Sequence, residues 1–183
     1  TEKDVDQTLK KFILTFWNSY QFFQTYRQKI GHRMSNHVLD KWIISKLNGL
    51  ILETTEKLGK YNVTGSARAI ENFVINDLSL WYIRRSRKRF KEASATLYQA
   101  LLTLSKLTAP FAPFLSEAIY RDLAENSSPR SVHLADWPKA NKKLINKKLN
   151  KEMAKVRGIV SAALAERAKA GIKVRQPLQE LQI

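Results

Sequence analysis

The sequence predicts an all-α protein, a helical bundle of five to six helices with a short extended C-terminal tail. Apolar residues recur at spacings of three and four along almost the whole chain, which is the repeat of helices with one buried face. No segment alternates polar and apolar residues long enough to indicate a β-strand. Glycine, proline and asparagine fall between the periodic stretches, where helices are expected to end.

Three helices are predicted in the first half of the chain. The first runs from about Val5 to Lys29 on the strength of a broad apolar face. Asn36 is the expected N-cap of the second, which closes at Gly59 in a C-terminal cap position. The break "GKYNVTGS" is a turn, after which Thr64 or Ser66 caps the third helix.

Three further helices are predicted in the second half. The fourth runs from about Ala93 to Leu107 and is interrupted by "TAPFAPF", whose prolines each remove a backbone donor. The fifth is Leu115 to Leu123. The last, from about Lys142 to Ala170, ends at Gly171, and "IKVRQPLQELQI" after it is expected to be extended.

These elements predict one domain in three parts. Residues 1–125 form the core of the bundle. Residues 126–141 form a surface loop, since they lack periodicity and are rich in Ser, Pro and Asn, and Trp137 is expected to pin it. Residues 142–183, the long helix and the tail, belong to the same domain.

The composition points to a folded protein with a polyanionic partner. The 183 residues are 44% hydrophobic and carry a formal net charge of +16, and Lys and Arg gain affinity for a phosphate backbone by releasing its counterions. No apolar stretch approaches the length that spans a bilayer, so no membrane partner is expected. The chain has no cysteine, which excludes disulfides and thiolate zinc sites and suits a reducing, cytoplasmic compartment.

Positive charge concentrates in two stretches. "RRSRKRFK" at 84–91 has six basic residues in eight positions and no acid. The second, "KANKKLINKKLNKEMAKVR" at 139–157, has eight basic residues against Glu152, and either RNA contact or a solvated helix face accounts for it.

The first stretch extends the apolar face of the third helix. On a helical wheel Val74, Leu78 and Trp81 lie on the same side as Arg85 and Arg89. Asp77 lies near this face as well, so a buried carboxylate paired with an arginine is expected, with the Arg85 guanidinium stacked on Trp81.

Cations also favour the negative end of a helix dipole, but that effect accounts for two or three of the six. The excess favours nucleic-acid contact by part of the cluster. No catalytic or metal constellation accompanies it: His32, His37 and His133 lack metal-ligand spacing, and no glycine-rich phosphate loop is present. His37 is expected to cap a helix or lie on the surface. The chain is therefore interpreted as a binding module.

Five segments, in order, resemble the anticodon-binding domain of isoleucyl-tRNA synthetases: "DKWIISKLNGLI", "DLSLWYIRRSRKRF", "LTAPFAPFLSEAIYRDL", "SVHLADWP" and "KAGIKVRQPL". The similarity runs from about Leu9 to Leu181. Single blocks also fit valyl or leucyl enzymes, whereas the last two favour isoleucine. The family pattern continues with an aromatic residue where this chain has Lys91.

The resemblance implies a helical bundle that binds tRNA(Ile) within a ligase that joins isoleucine to its tRNA with ATP. The HIGH and KMSKS signatures of the catalytic domain and the editing domain are absent from this chain, so it is expected to be inactive alone, to need no cofactor itself, and to have that catalytic domain as a partner. A monomer is expected.

By the same resemblance, Asp77 and Trp81 belong to the packing of the bundle. The residues expected to contact tRNA are Arg84, Arg85, Arg87, Lys88, Arg89, Lys169, Lys173 and Arg175. The last three could instead line an interface with a following C-terminal region. A helical protein-interaction module with a merely solubilising basic surface is the alternative from a different class.

Overall fold

The computed structural model describes residues 9–27 and 35–180, and the regular structure within these ranges is helical throughout, which confirms the all-α prediction. The chain divides into two compact units, Thr1–Ile145 and Asn146–Ile183. In the described residues the first unit contains five helices: α1, Leu14–Tyr26; α2, Val38–Gly59; α3, Val63–Asn72 continued by Phe73–Ile83 and Arg84–Ser86; α4, Phe90–Thr108; and α5, Pro113–Leu123.

The cap at the start of α2 differs from the prediction, whereas its end at Gly59 agrees with it. The predicted ends of the first helix, Val5 and Lys29, lie outside the described residues. His37 rather than Asn36 caps α2, because its Nδ1 accepts a hydrogen bond from the backbone N–H of Leu39 at 3.2 Å. The expectation of a histidine cap is confirmed.

The turn between α2 and α3 contains the only positive φ of a non-glycine residue in the described ranges. Gly59 is the last residue of α2, and Tyr61 takes the left-handed conformation (φ 57°). Asn62 then caps α3: its Oδ1 accepts from the N–H of Gly65 at 2.9 Å. The predicted caps Thr64 and Ser66 both lie inside the helix, because it begins earlier than the apolar pattern indicates.

The middle of α3 is wound more widely than an α-helix. Phe73–Ile83 is π-helical, in place of the α-helix that the sequence pattern predicts. Its buried residues come in groups that begin every four positions: Phe73 and Val74, then Asp77 and Leu78, then Trp81, Tyr82 and Ile83. Trp81 and Tyr82 are therefore both directed into the bundle.

Helices α3 and α4 pack against each other, and the start of α3 lies near the end of α4. A single 3₁₀ turn, Arg87–Arg89, separates them, and α4 begins at Phe90, earlier than the predicted Ala93. Helix α5 likewise begins early, with Pro113 in its first turn, where a missing N–H removes no intrahelical bond. Fully buried aromatic and aliphatic side chains from all five helices fill the core, among them Phe16, Trp42, Leu78, Leu101 and Tyr120.

Hydrogen bonds hold the segment after α5 to the bundle. The indole Nε1 of Trp137 donates to Thr55 Oγ1 at 2.8 Å, so Trp137 pins this segment as predicted. The N–H of Asn141 donates to Asn48 Oδ1 at 2.7 Å. Apart from the short 3₁₀ turns Val132–Leu134 and Lys142–Leu144, residues 124–146 have no regular helix.

The second unit consists of helix α6, Lys147–Lys169, and the chain that follows it. Helix α6 begins after Asn146, whose Oδ1 accepts from the N–H of Leu149 at 2.9 Å, so the α-helix is shorter than the predicted Lys142 to Ala170. Gly171 ends it with φ 66°, a conformation that glycine adopts without steric cost. The tail then bends instead of running extended, since the N–H of Gln176 donates to the carbonyl of Lys173 at 3.0 Å.

Asn62→Ala should lower the free energy of unfolding by about 1 kcal/mol, because it removes the side-chain acceptor at the start of α3. Urea denaturation followed by circular dichroism measures it. Thr64→Ala is the matched control and should be within about 0.5 kcal/mol of the parent. A larger loss from Thr64→Ala than from Asn62→Ala would contradict the cap seen here.

Candidate nucleic-acid interface

Four helix ends meet at one end of the bundle, around the ring of Phe90. Phe22 near the end of α1 lies edge-on to this ring, with centroids 5.3 Å apart, and Tyr26 lies 5.8 Å away. Phe23 approaches it at 6.3 Å. These contacts pack the C-terminus of α1 against the junction of α3 with α4. The N-terminus of α2 is joined to the same junction by Asp40.

A buried ion pair joins the N-terminus of α2 to the 3₁₀ turn between α3 and α4. The two guanidinium nitrogens of Arg89 donate to the two carboxylate oxygens of Asp40, each at 2.7 Å. Asp40 is 1% exposed, and the Arg89 side chain 14%. Ser86 Oγ accepts a further bond from Arg89 at 3.1 Å. A bidentate pair of this kind fixes the direction of the turn as well as its position.

Tyr82 completes this network by donating its hydroxyl hydrogen to Asp40 Oδ1. Burial, and then the adjacent carboxylate charge, raise the pKa of Tyr82 well above its ordinary value, so the phenol stays protonated and remains a donor. Burial opposes the charge of Arg89, but the bond to Asp40 outweighs it and the pKa of Arg89 is raised. This geometry gives Arg89 a structural role.

The other basic residues of the stretch form an exposed surface, called here the basic cluster: Arg84, Arg85, Arg87, Lys88 and Lys91. The Arg85 guanidinium carbon lies 3.2 Å from the centroid of the Trp81 ring, which is the predicted stack. The stack restricts the rotamers of Arg85 and presents its charge beside the buried face of α3.

Asp77 and Trp81 are both buried, as packing residues would be, at 3% and 8% exposure. Lys46 of α2 pairs with the Asp77 carboxylate at 3.2 Å. The sequence predicted an arginine as the partner of the Asp77 carboxylate, whereas the ion pair seen here is with Lys46.

Two aromatic rings beside the cluster were missed by sequence reasoning as site residues. Phe22, Tyr26 and Arg87 line an open cleft of about 230 Å³, and the Arg87 guanidinium carbon lies 5.7 Å from the Phe22 centroid. Tyr26 is 54% exposed. The spacing of four between Phe22 and Tyr26, off the apolar face of α1, was the available signal.

The remaining predicted RNA-binding residues lie in the second unit. Lys173 and Arg175 are exposed on the bent tail, and Lys169 is exposed at the end of α6 and pairs with Glu166 at 2.7 Å. The lysines of α6 are also exposed, at Lys147, Lys148, Lys151 and Lys155.

Other kinds of site find little support in the described part of the chain. Within residues 9–27 and 35–180 no group of three or more acidic or histidine side chains could hold a metal ion. His133 is exposed, and His32 lies outside these ranges. None of the described helices is both long and apolar enough to cross a bilayer.

The sequence matches the family described as the anticodon-binding domain of tRNA ligase over residues 40–182. This chain belongs to that family. The match begins at Asp40 of the buried pair and extends through both units of the structure.

Relatives of the chain are isoleucine–tRNA ligases. It is 40% identical over 193 residues to that of Thermus thermophilus, covering 95% of this chain and 18% of the relative. The ligase of Dehalococcoides mccartyi is 41% identical over 202 residues, covering 100% and 20%. The chain thus spans about a fifth of the length of the curated relatives it matches.

A solved structure shares the fold. It is LeuRS of Agrobacterium radiobacter K84 in a ternary complex with tRNA and LeuAMS, with a TM-score of 0.56 and 20% identity. The match covers 78% of this chain and 17% of that one.

Asp40→Asn should lower the free energy of unfolding by about 3–5 kcal/mol, because it leaves the Arg89 charge buried without its counter-charge. Urea denaturation measures the loss. The control is Glu56→Gln, which breaks the exposed pair of Glu56 with Lys60 and should have a much smaller effect, because solvent screens exposed pairs. Equal losses in the two variants would rule out a special role for the buried pair.

Proposed function

We propose that this chain binds the anticodon stem and loop of tRNA(Ile) as part of an isoleucine–tRNA ligase. The observation that carries the proposal is the exposed basic cluster, held beside two aromatic rings by the buried pair of Asp40 and Arg89. The family and the isoleucine–tRNA ligase relatives support the choice of partner.

The position of the cluster argues against the helix-dipole explanation of its charge. The cations stand where α3 ends and α4 begins, one 3₁₀ turn apart. Positive charge stabilises the C-terminus of α3 but destabilises the N-terminus of α4 by a similar amount, so the two dipoles offset each other there. The helix dipoles therefore do not offset the repulsion among the exposed cations of the cluster, and a phosphate backbone would neutralise them.

The basic cluster and the aromatic cleft suit different parts of a stem-loop. Arg84, Arg87 and Lys88 neutralise backbone phosphates, which sets the register of the RNA without reading its sequence. Tyr26 and Phe22 offer a ring face to an unpaired base, and such stacking is available only in the loop. Arg89 acts as a positioning residue, since its guanidinium is engaged by Asp40.

The whole ligase would supply the rest of the reaction. In this proposal ATP and isoleucine bind to a catalytic domain of the same polypeptide, in a cytoplasmic and monomeric enzyme. The family match across both units supports the prediction that residues 1–125, 126–141 and 142–183 act as one binding domain.

Some exposed apolar side chains favour contact with the rest of that polypeptide. Phe114 at the start of α5 is 89% exposed and Tyr61 before α3 is 92% exposed. Tyr61 lies at the opposite end of α3 from the basic cluster, about 30 Å away at 1.5 Å per residue. Protein contact and RNA contact therefore use different ends of the bundle.

Replacing Arg84 and Arg87 together by Gln should weaken binding of an isoleucine tRNA transcript and reduce the slope of log affinity against log salt by about 1 per lost phosphate contact. Fluorescence anisotropy over a salt series measures both. Arg68→Gln, which removes an exposed charge near the start of α3, is the control. An unchanged slope in the double variant, with the fold intact, would show that the cluster does not contact RNA.

Tyr26→Leu should weaken binding of an isoleucine anticodon hairpin by about 1–3 kcal/mol, because leucine preserves apolar bulk but has no ring face on which a base can stack. Binding of a fully paired RNA duplex should not change. Tyr61→Leu is the control for loss of an exposed tyrosine. Equal losses for hairpin and duplex would mean that Tyr26 does not stack on an unpaired base.

A further inference from the structure

The chain after α6 is folded back by a single arginine. Nη2 of Arg167 donates to the carbonyl of Lys173 at 2.8 Å, to that of Gln176 at a shorter distance, and to that of Val174 at 3.4 Å. Helix α6 ends just before this contact, where Gly171 has a φ of 66°. One side chain of the helix therefore donates hydrogen bonds to the carbonyls of a bend that begins four residues beyond the end of the helix.

The backbone around this contact is fixed on both sides. The N–H of Ile172 donates to the carbonyl of Arg167 at 2.9 Å, so Arg167 accepts from the tail through its main chain while it donates to the tail through its side chain. The N–H of Gln176 closes the bend by donating to the Lys173 carbonyl at 3.0 Å. We call residues 167–176 the tail hook.

The tail hook turns two cations outward. Lys173 provides an accepting carbonyl and Arg175 lies between two residues that do so, while both side chains are exposed. Arg167 itself is partly buried, and its Nε is buried without a hydrogen-bond partner. The guanidinium of Arg167 is thus directed at the protein backbone, whereas the charged groups of Lys173 and Arg175 are exposed to solvent.

We propose that Arg167 is a positioning residue for RNA binding, which holds the tail hook in the bend that presents Lys173 and Arg175 to the phosphate backbone. The inference rests on the proposed function and adds to it a residue that need not touch RNA. Without Arg167, three carbonyls lose a charged donor, and a bend that contains one backbone bond of its own would open. A lysine is expected to hold the bend less well, because its ammonium is strongly hydrated and its chain is shaped differently from that of arginine, so it does not place a donor where Nη2 lies.

Arg167→Lys tests this role because it keeps the charge. In the 183-residue chain, amide hydrogen exchange without RNA should show faster exchange at Gln176, and the affinity for an isoleucine anticodon hairpin should fall by about threefold or more. Arg68→Lys is the control: it also keeps the charge of an exposed arginine, but should leave the affinity and the exchange at Gln176 unchanged, since Arg68 lies in α3 and not in the tail hook.

A second pair of variants separates positioning from direct contact. With Lys173 and Arg175 both replaced by Gln, the further change Arg167→Lys should have no effect on affinity, because the groups that it positions are gone. A further loss in that background would show that Arg167 contacts RNA itself, which overturns the proposal. Unchanged exchange at Gln176, or faster exchange with full affinity in the parent background, would also overturn it.

The same measurements distinguish failure of the proposed function from failure of the positioning role of Arg167. A parent chain that fails to bind the hairpin at low salt refutes the proposed function and the positioning role with it. A parent chain that binds with a steep salt dependence, together with Arg167→Lys that binds as well as the parent, refutes only the positioning role.

Discussion

The buried pair of Asp40 and Arg89 is the interaction on which the basic end depends. It connects the first turn of α2 to the turn between α3 and α4, elements 49 residues apart in sequence, and Tyr82 adds a hydrogen bond from a third position. Burial of charge is unfavourable unless both partners are satisfied. The bidentate geometry satisfies the carboxylate, and the 3₁₀ turn is thereby held in the one orientation that points its remaining cations outward.

In each unit of the structure an arginine orders a turn, but the groups that accept its hydrogen bonds differ. In the first, an arginine is held by a carboxylate, and its neighbours in sequence are exposed. In the second, Arg167 is held by backbone carbonyls, and its neighbours on the tail are exposed. In both, one cation is withdrawn from solvent and orders a turn, while adjacent cations keep their charge available.

The sequence predicted the helices but not the details that arrange the site. Apolar periodicity and runs of charge are local properties, so the helices and the basic run at 84–91 could be predicted from the sequence alone. The cap at Asn62 was missed because Thr64 and Ser66 satisfy the same rule, and only the backbone conformation at Tyr61 decides among them. The burial of Tyr82 was missed, although Tyr82 follows Leu78 by four positions on the same helix.

Long-range pairing was the other limit of sequence reasoning. The wheel already placed Arg89 with the apolar residues of α3, and Asp40 precedes Ile43, Ile44 and Leu47 by three, four and seven positions, on a face that is buried. These two signals together indicate a buried pair, but neither identifies its partner without the fold. The Asp40 pair gives Arg89 a role in the fold that the basic run alone does not indicate, and its contact with RNA stays a prediction.

The connection of α3 to α4 through one short turn has an evolutionary consequence. Because the turn is anchored from beneath by Arg89, the outward-facing positions around it contribute little to folding, and substitutions there are free to drift. A domain built in this way can be retuned for a different nucleic acid by exchanging surface side chains alone, with no need to redesign the interior that supports them.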